Sequence, residues 1–246
     1  MLESIRRWWS SKTLGRPFPE LADWAERKGH DLRVKPEGDG LIVESRAPGD
    51  AWRLEWGASQ RRYIDGFELR LRADLGGGDA VHMLVLNRRL MQSLEAEVFK
   101  QYTEDLQTRI DDATPDEMRW LVLYPRLPSA QLGALRDHFG ATGYPPDAIA
   151  QWVGSSLSKA LADAATGWLD PSEPLVLIAQ RGRLTMRLPL PWPELARIES
   201  ALALMRTAVR EARVAVDRHG GGRGAPSTQP GLWARSDDAD ANTAPR

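Results

Sequence analysis

Between Ala51 and Leu86 apolar and charged residues alternate. Trp52, Leu54 and Trp56 are interleaved with Arg53 and Glu55, and Phe67, Leu69, Leu71, Ala73 and Leu75 with Glu68, Arg70, Arg72 and Asp74. Successive side chains of a strand point to opposite faces, so this period of two predicts a sheet with one apolar and one charged face. The alternation starts earlier, at Leu32 and Val34 against Arg33 and Lys35, and an extended run resumes at Leu41–Glu44. The apolar run Val81–Leu86 completes five predicted strands. Pro36-Glu-Gly-Asp-Gly40, Pro48-Gly-Asp50 and Gly76-Gly-Gly-Asp79 supply the turns. Connections this short cannot hold the crossovers of parallel pairing, so an antiparallel meander is expected.

At Arg88 the period changes. Leu90, Leu94, Val98, Tyr102, Leu106 and Ile110 recur at helical spacing and predict a helix over Arg88–Ile110 that lies on the sheet. Asp111 and Asp112 end it, and Thr114-Pro-Asp-Glu117 reads as a capping box. Trp120–Tyr124 (WLVLY) reads as a buried strand, Ser129–Phe139 as a short helix, Gly140–Pro146 as a loop and Asp147–Trp168 as one helix. Leu175–Gln180 and Leu184–Leu190 are two strands around the tight turn Arg181-Gly-Arg183. Leu195, Ile198, Leu202, Met205, Val209, Ala212 and Val216 then form a three–four stripe, and a helix over Trp192–Arg218 is a second cover for the sheet. Near the start, Leu21, Trp24 and Ala25 mark a helix that opens at Pro19 and ends near Gly29.

The expected fold is therefore α+β: an antiparallel β-meander, about five N-terminal strands plus three later ones, covered by long amphipathic helices. Residues 1–14 form an expected amphipathic arm and residues 15–218 the folded domain, with a possible sub-boundary near 111–116. Residues 219–246, rich in Gly, Pro, Ser, Asp and Asn, have the composition of a disordered tail.

Composition narrows the function only a little. The formal net charge of the 246-residue chain is -1, so no global field draws it to nucleic acid or to an anionic membrane. Arg dominates over Lys, as expected of a GC-rich, bacterial genome. There is no cysteine, which excludes disulfides, thiolate catalysis and cysteine-bound zinc. No apolar signal segment opens the chain and no stretch is long enough to span a bilayer, so a cytoplasmic protein is expected. Of ten tryptophans, Trp52, Trp56, Trp120, Trp152 and Trp168 fall in periodic segments and are expected in the core. Ile5, Trp8 and Trp9 share one face of the arm, where packing on the protein's own domain is favoured over membrane contact. Trp233 stands alone in the tail.

Little of the candidate chemistry rises above ordinary structural roles. His30, His82, His138 and His219 lack metal-ligand spacing and sit in no nucleophile motif. Asp111, Asp112, Asp116 and Glu117 do not match a calcium loop, and helix termination followed by a cap accounts for them. Gly76-Gly-Gly78 precedes a strand rather than a helix, with no Lys beside it, so a hairpin turn explains it better than a phosphate loop. No cofactor and no metal are expected. The most suggestive polar set is Arg61, Arg62 and Tyr63, which Arg53, Arg70 and Arg72 would extend across the charged face of the sheet. Arg beside a stacking aromatic is a way of holding single-stranded nucleic acid. Glu55, Glu68 and Asp74 interleave with these cations, however, and favour a cross-strand charge ladder.

Three functions fit these residues. The first is a non-catalytic interaction or adaptor protein that binds a protein partner through its sheet edge, terminal helix or ends. The second is an enzyme whose active-site residues are dispersed in sequence. The third is a weak RNA or anion binder acting through Arg61, Arg62 and Tyr63. An uncapped edge strand would favour the first, a cleft joining His30 or His82 to carboxylates the second, and a continuous positive groove the third.

Overall fold

A computed structural model describes residues 18–35, 40–78, 80–104 and 115–220, with the backbone alone at 101–104. Eight strands form one sheet: β1 (Asp31–Val34), β2 (Gly40–Ser45), β3 (Trp52–Ala58), β4 (Phe67–Asp74), β5 (His82–Asn87), β6 (Phe139–Tyr144), β7 (Val176–Gln180) and β8 (Arg183–Pro189). Their order is β1-β2-β3-β4-β8-β7-β5-β6, and every neighbouring pair is antiparallel. The α+β class and the antiparallel sheet are as the alternation predicts.

The first four strands meander, and then the late hairpin β7–β8 inserts between β4 and β5, with Glu68 opposite Pro189 and Asp74 opposite Arg183. The Gly76–Gly78 stretch is therefore not a hairpin turn. It passes the β7–β8 turn, where the Leu75 N–H donates to the Gly182 carbonyl at 2.8 Å. Gly78 has φ 90°, and a Cβ there would meet the Val216 side chain at 2.5 Å, so this loop needs glycine to run so close to the last helix.

Seven helices are described: α1 (Pro19–Lys28), α2 (Arg88–Glu104), α3 (Asp116–Leu123), α4 (Ser129–Leu132), α5 (Pro146–Val153), α6 (Ser156–Thr166) and α7 (Leu195–His219). Five local expectations change. Trp120–Tyr124 is not a strand; Trp120–Leu123 close α3, which buries Glu117, Met118, Trp120 and Leu121 and leaves Val122 and Leu123 exposed, and Tyr124 follows its end. A short apolar run fits a buried strand or a helix equally well, and the helical spacing shows only when Glu117 and Met118 are included. The sixth strand is instead β6, FGATGY, which takes the last residue of the expected Ser129–Phe139 helix and most of the expected loop Gly140–Pro146. Its glycines leave room for neighbours, because a Cβ at Gly140 would strike the Met91 sulfur and one at Gly143 the His82 carbonyl.

The expected helix Ser129–Phe139 is shorter: α4 gives way to a 3-10 turn at Gly133–Asp137, and Phe139 already belongs to β6. The expected helix Asp147–Trp168 is two, because the Ser155 hydroxyl accepts from the Leu157 N–H at 3.2 Å and caps a new helix after Gly154. Helix α7 runs one residue past its predicted end, through His219, so the expected tail begins one residue later at the earliest. Ile5, Trp8, Trp9, Asp111, Asp112, Thr114, Trp233 and residues 105–110 lie outside the described residues. No helix among the described residues is long and apolar enough to cross a membrane.

One face of the sheet is apolar from β2 across to β6. Leu41, Val43, Leu54, Trp56, Leu69, Leu71, Met83, Val85, Ala141, Leu177, Leu184 and Met186 form a continuous core with α1, α5, α6 and α7. Two indole N–H groups pin this layer: Trp56 donates to the Leu190 carbonyl at 2.7 Å and Trp152 to the Ala208 carbonyl at 3.0 Å. The other face changes character midway. Over β5 and β7 it carries Leu84, Leu86, Val176 and Ile178, which α2 and α3 cover with Leu90, Leu94, Met118, Trp120 and Leu121. Over β2, β3, β4 and β8 it carries charge.

Candidate functional site

The charged half-face is built by register. Opposed residues place Glu44, Arg53, Arg72 and Thr185 in one row across β2, β3, β4 and β8, and Ile42, Glu55, Arg70 and Arg187 in the next. Glu68 adds a carboxylate from the same face of β4. The signs then alternate along one chain of contacts. Arg53 donates to Glu44 and to Glu55, both at 2.7 Å. Arg70 bridges Glu55 and Glu68, the latter at 2.6 Å. Arg187 donates to both oxygens of Glu68, at 2.8 and 3.1 Å. Three carboxylates thus balance three guanidiniums, and Arg72 lies 3.7 Å from Glu55 as an extra cation. Burial by itself would raise the Glu55 carboxyl, but the hydrogen bonds from Arg70 and Arg53 outweigh it and hold the group at about 2. The ladder is a cross-strand charge network of the kind the interleaved sequence implies.

Where the charged half-face meets the apolar half, the loop after β3 closes over the join. Glu117, fully buried on α3, accepts from Arg61 Nε at 3.0 Å and from the Tyr63 hydroxyl at 2.8 Å. Tyr63 packs against the second apolar cluster, and burial, followed by the Glu117 charge, raises its hydroxyl well above its ordinary range. Among the described residues α3 has no side-chain cap, and the Glu117 carboxylate ties the loop to the helix. Asp116, the next acid, receives Arg119 and accepts from Gln180 Nε2 at 2.9 Å.

The six residues singled out by sequence thus fall in two places. Arg53, Arg70 and Arg72 lie on the ladder and Arg61 and Tyr63 at the join, while Arg62 is exposed beside them with no ion pair among the described residues. The structure does not join these arginines into a positive groove, because Glu44, Glu55, Glu68 and Glu117 stand between them. Arg187 and the Arg61–Glu117 pairing were invisible to sequence periodicity. The first appears only once β8 is known to lie beside β4, and the second joins positions more than fifty apart in the chain.

None of the histidines bonds a carboxylate among the described residues. His30 sits between Trp24 and Trp52, with ring centroids at 5.2 and 4.8 Å, and burial, with Arg206 nearby, lowers its pKa. His82 stacks on Trp120 at 4.8 Å with its Nδ1 2.6 Å from the Tyr124 hydroxyl, and burial lowers it too. His138 is exposed, and His219 Nε2 lies 2.9 Å from Gln151 Oε1. No group of three or more metal-ligating side chains occurs among the described residues.

The two ends of the sheet differ. Along β6 the segment after α3 lies alongside: Arg126 bridges Thr142, the Leu127 N–H donates to the Ala141 carbonyl at 2.8 Å, and the Thr142 hydroxyl donates to the Tyr124 carbonyl at 3.0 Å. At the opposite end, β1 pairs with β2 alone among the described residues. Lys35 N–H bonds the Gly40 carbonyl, so alternation of an antiparallel ladder turns the backbone groups of Leu32 and Val34 outward. Asp31 and Arg33 stand on the charged face there, half exposed, with Arg46 78% exposed behind them.

Comparison with known proteins adds no relative: no family model matches the chain, and neither a curated protein nor a solved structure is similar to it.

Proposed function

We propose that this chain is a non-catalytic interaction protein that receives an extended segment of a protein partner along β1. The observation that carries this reading is the asymmetry of the sheet: the β6 edge is covered by the 125–128 segment, and the β1 edge is open among the described residues. An added strand gains main-chain hydrogen bonds from the outward groups of Leu32 and Val34. Its own side chains fall beside Leu32 and Val34 on one face and beside Asp31, Arg33 and Arg46 on the other. Charge at this short edge discourages pairing between identical edges and selects a partner of complementary pattern. The ladder next to it holds β2, β3 and β4 rigid, so the edge is presented in a fixed form. The cytoplasm, the compartment suggested by the sequence, is where we place this role.

The test uses two substitutions at one position. Val34→Pro removes an outward N–H, whereas Val34→Thr keeps it with nearly the same shape. Partners captured from lysate by the wild-type chain and by V34T should be lost at least tenfold from V34P, while circular dichroism shows all three folded. Amide exchange at Leu32 and Val34 should slow when the captured partner is added. Equal capture by V34P, or no capture by the wild type, overturns the reading.

A further inference from the structure

A second feature lies on the opposite, helix-covered side. On the apolar face of β4 the residues shrink from Leu69 and Leu71 to Ala73, and Ala73 is opposite Trp52 at the start of β3. Helix α7 cannot close onto the sheet there. A cleft of about 380 Å³ remains between α7, the β2–β3 turn and these two residues. That volume is within the range of small-molecule sites, roughly 300–1,000 Å³.

Its floor is apolar: Trp52, Ala73, Met205 and Val209 line it, each with under a tenth of its surface exposed. Its rim is cationic. Arg206, Arg210 and Arg213 follow one another at spacings of four and three on one face of α7. Asp50 in the turn answers Arg206 Nε at 3.0 Å. Arg210 reaches the Ser156 hydroxyl at 2.9 Å and Glu211 at 3.2 Å. Arg213 meets no carboxylate among the described residues; it donates to the carbonyls of Gly49 at 3.0 Å and Asp74 at 2.7 Å. A neutral carbonyl is a weaker partner for a guanidinium than an oxyanion, which accepts charge-assisted bonds. Asp50 and Glu211 thus answer Arg206 and Arg210, and Arg213 is left as the rim cation with no carboxylate among the described residues. Trp52 also keeps a buried Nε1–H that has no acceptor among the described residues.

We propose that this cleft binds a small molecule that carries an oxyanion, carboxylate or phosphate monoester, on an apolar body. The head sits between Arg210 and Arg213, and the body lies on Trp52, Ala73 and Val209. Both halves are required, because the floor offers apolar surface and the rim supplies the charge. This site is separate from the β1 edge and stands whether or not that edge binds a partner.

Calorimetric titration of the full chain with octanoate, octyl phosphate, octanol and inorganic phosphate tests the assignment. Octanoate, octyl phosphate or both should bind one to one, at least tenfold more tightly than octanol and than inorganic phosphate. Which of the two binds identifies the head group. Binding should move the Trp52 indole N–H resonance, assigned by its loss in Trp52→Phe. Arg213→Gln, a surface change, should weaken the anionic probe about tenfold, the loss of one charge-assisted contact, and leave octanol unchanged. Ala73→Leu should fill the cleft and abolish binding; if that variant fails to fold, R213Q alone decides. Octanol binding as tightly as octanoate, an unchanged affinity in R213Q or in folded A73L, or no binding of any probe overturns the proposal.

Discussion

Glu117 shows how much one side chain can organise. It is fully buried, and its only hydrogen-bonding partners among the described residues are Arg61 and Tyr63, both from the loop after β3. Removing the fully buried carboxylate strands the mostly buried Arg61 guanidinium, a loss on the order of 3 kcal/mol. Glu117→Ala should therefore lower the unfolding free energy by about 3 kcal/mol, and Tyr63→Phe by about 1 kcal/mol, the usual worth of one neutral donor. Urea titration of each variant and of the double variant measures this; a double-variant loss smaller than the sum of the singles shows that both act through one network. The sequence exposed Arg61 and Tyr63 as an unusual pair but read Glu117 as a helix cap. Local spacing carries a cap, whereas a contact between residues 54 to 56 positions apart leaves no local trace.

Elements were legible in proportion to how far their pattern was local. Strands β2 to β5 and the β7–β8 hairpin stand where alternation and turn residues place them. The Leu195–His219 helix follows its three–four stripe. Strand β6 was missed because Gly140 and Gly143 serve close packing, and glycine in sequence reads as loop. The cleft on α7 leaves no local trace either, because Arg206, Arg210 and Arg213 sit beside the apolar stripe like the polar positions of any amphipathic helix. One element still carries local conflict. In the β7–β8 turn Arg181 has φ 49° and Gly182 φ 69°, both left-handed, which is the two-residue hairpin geometry that favours Asn-Gly. A side chain as large as Arg is strained there, whereas Asn tolerates the conformation. Arg181→Asn should raise stability by about 0.5 kcal/mol, read as a higher urea midpoint with an unchanged slope.

At the scale of the molecule, chain order and sheet order part company. The strands nearest each other in the middle of the sheet, β4 and β8, are separated by more than a hundred residues, and their seven opposed positions join the N-terminal meander to the C-terminal hairpin. Helix α7 lies over this same seam and packs on α5 and α6 as well. The ladder crosses it too, since Glu68 of β4 holds Arg187 of β8. A sub-boundary near 111–116 would have to divide elements that share backbone bonds, a core and a buried charge network. We therefore expect residues 15–218 to unfold as one cooperative unit. Urea melts followed by far-ultraviolet circular dichroism, by tryptophan fluorescence, and by native-state exchange of β2 and β5 amides should give one midpoint and one free energy. The amides of β2 are far from β5 across the sheet, so a lower free energy for one set would reveal two units. The companion experiment removes the hairpin and α7 by ending the chain after residue 171. Strand β4 then loses one of its two partners and the apolar face its central helix, and the shortened chain should show no cooperative transition. A folded, cooperatively melting N-terminal fragment would instead show that residues 15–218 hold more than one cooperative unit.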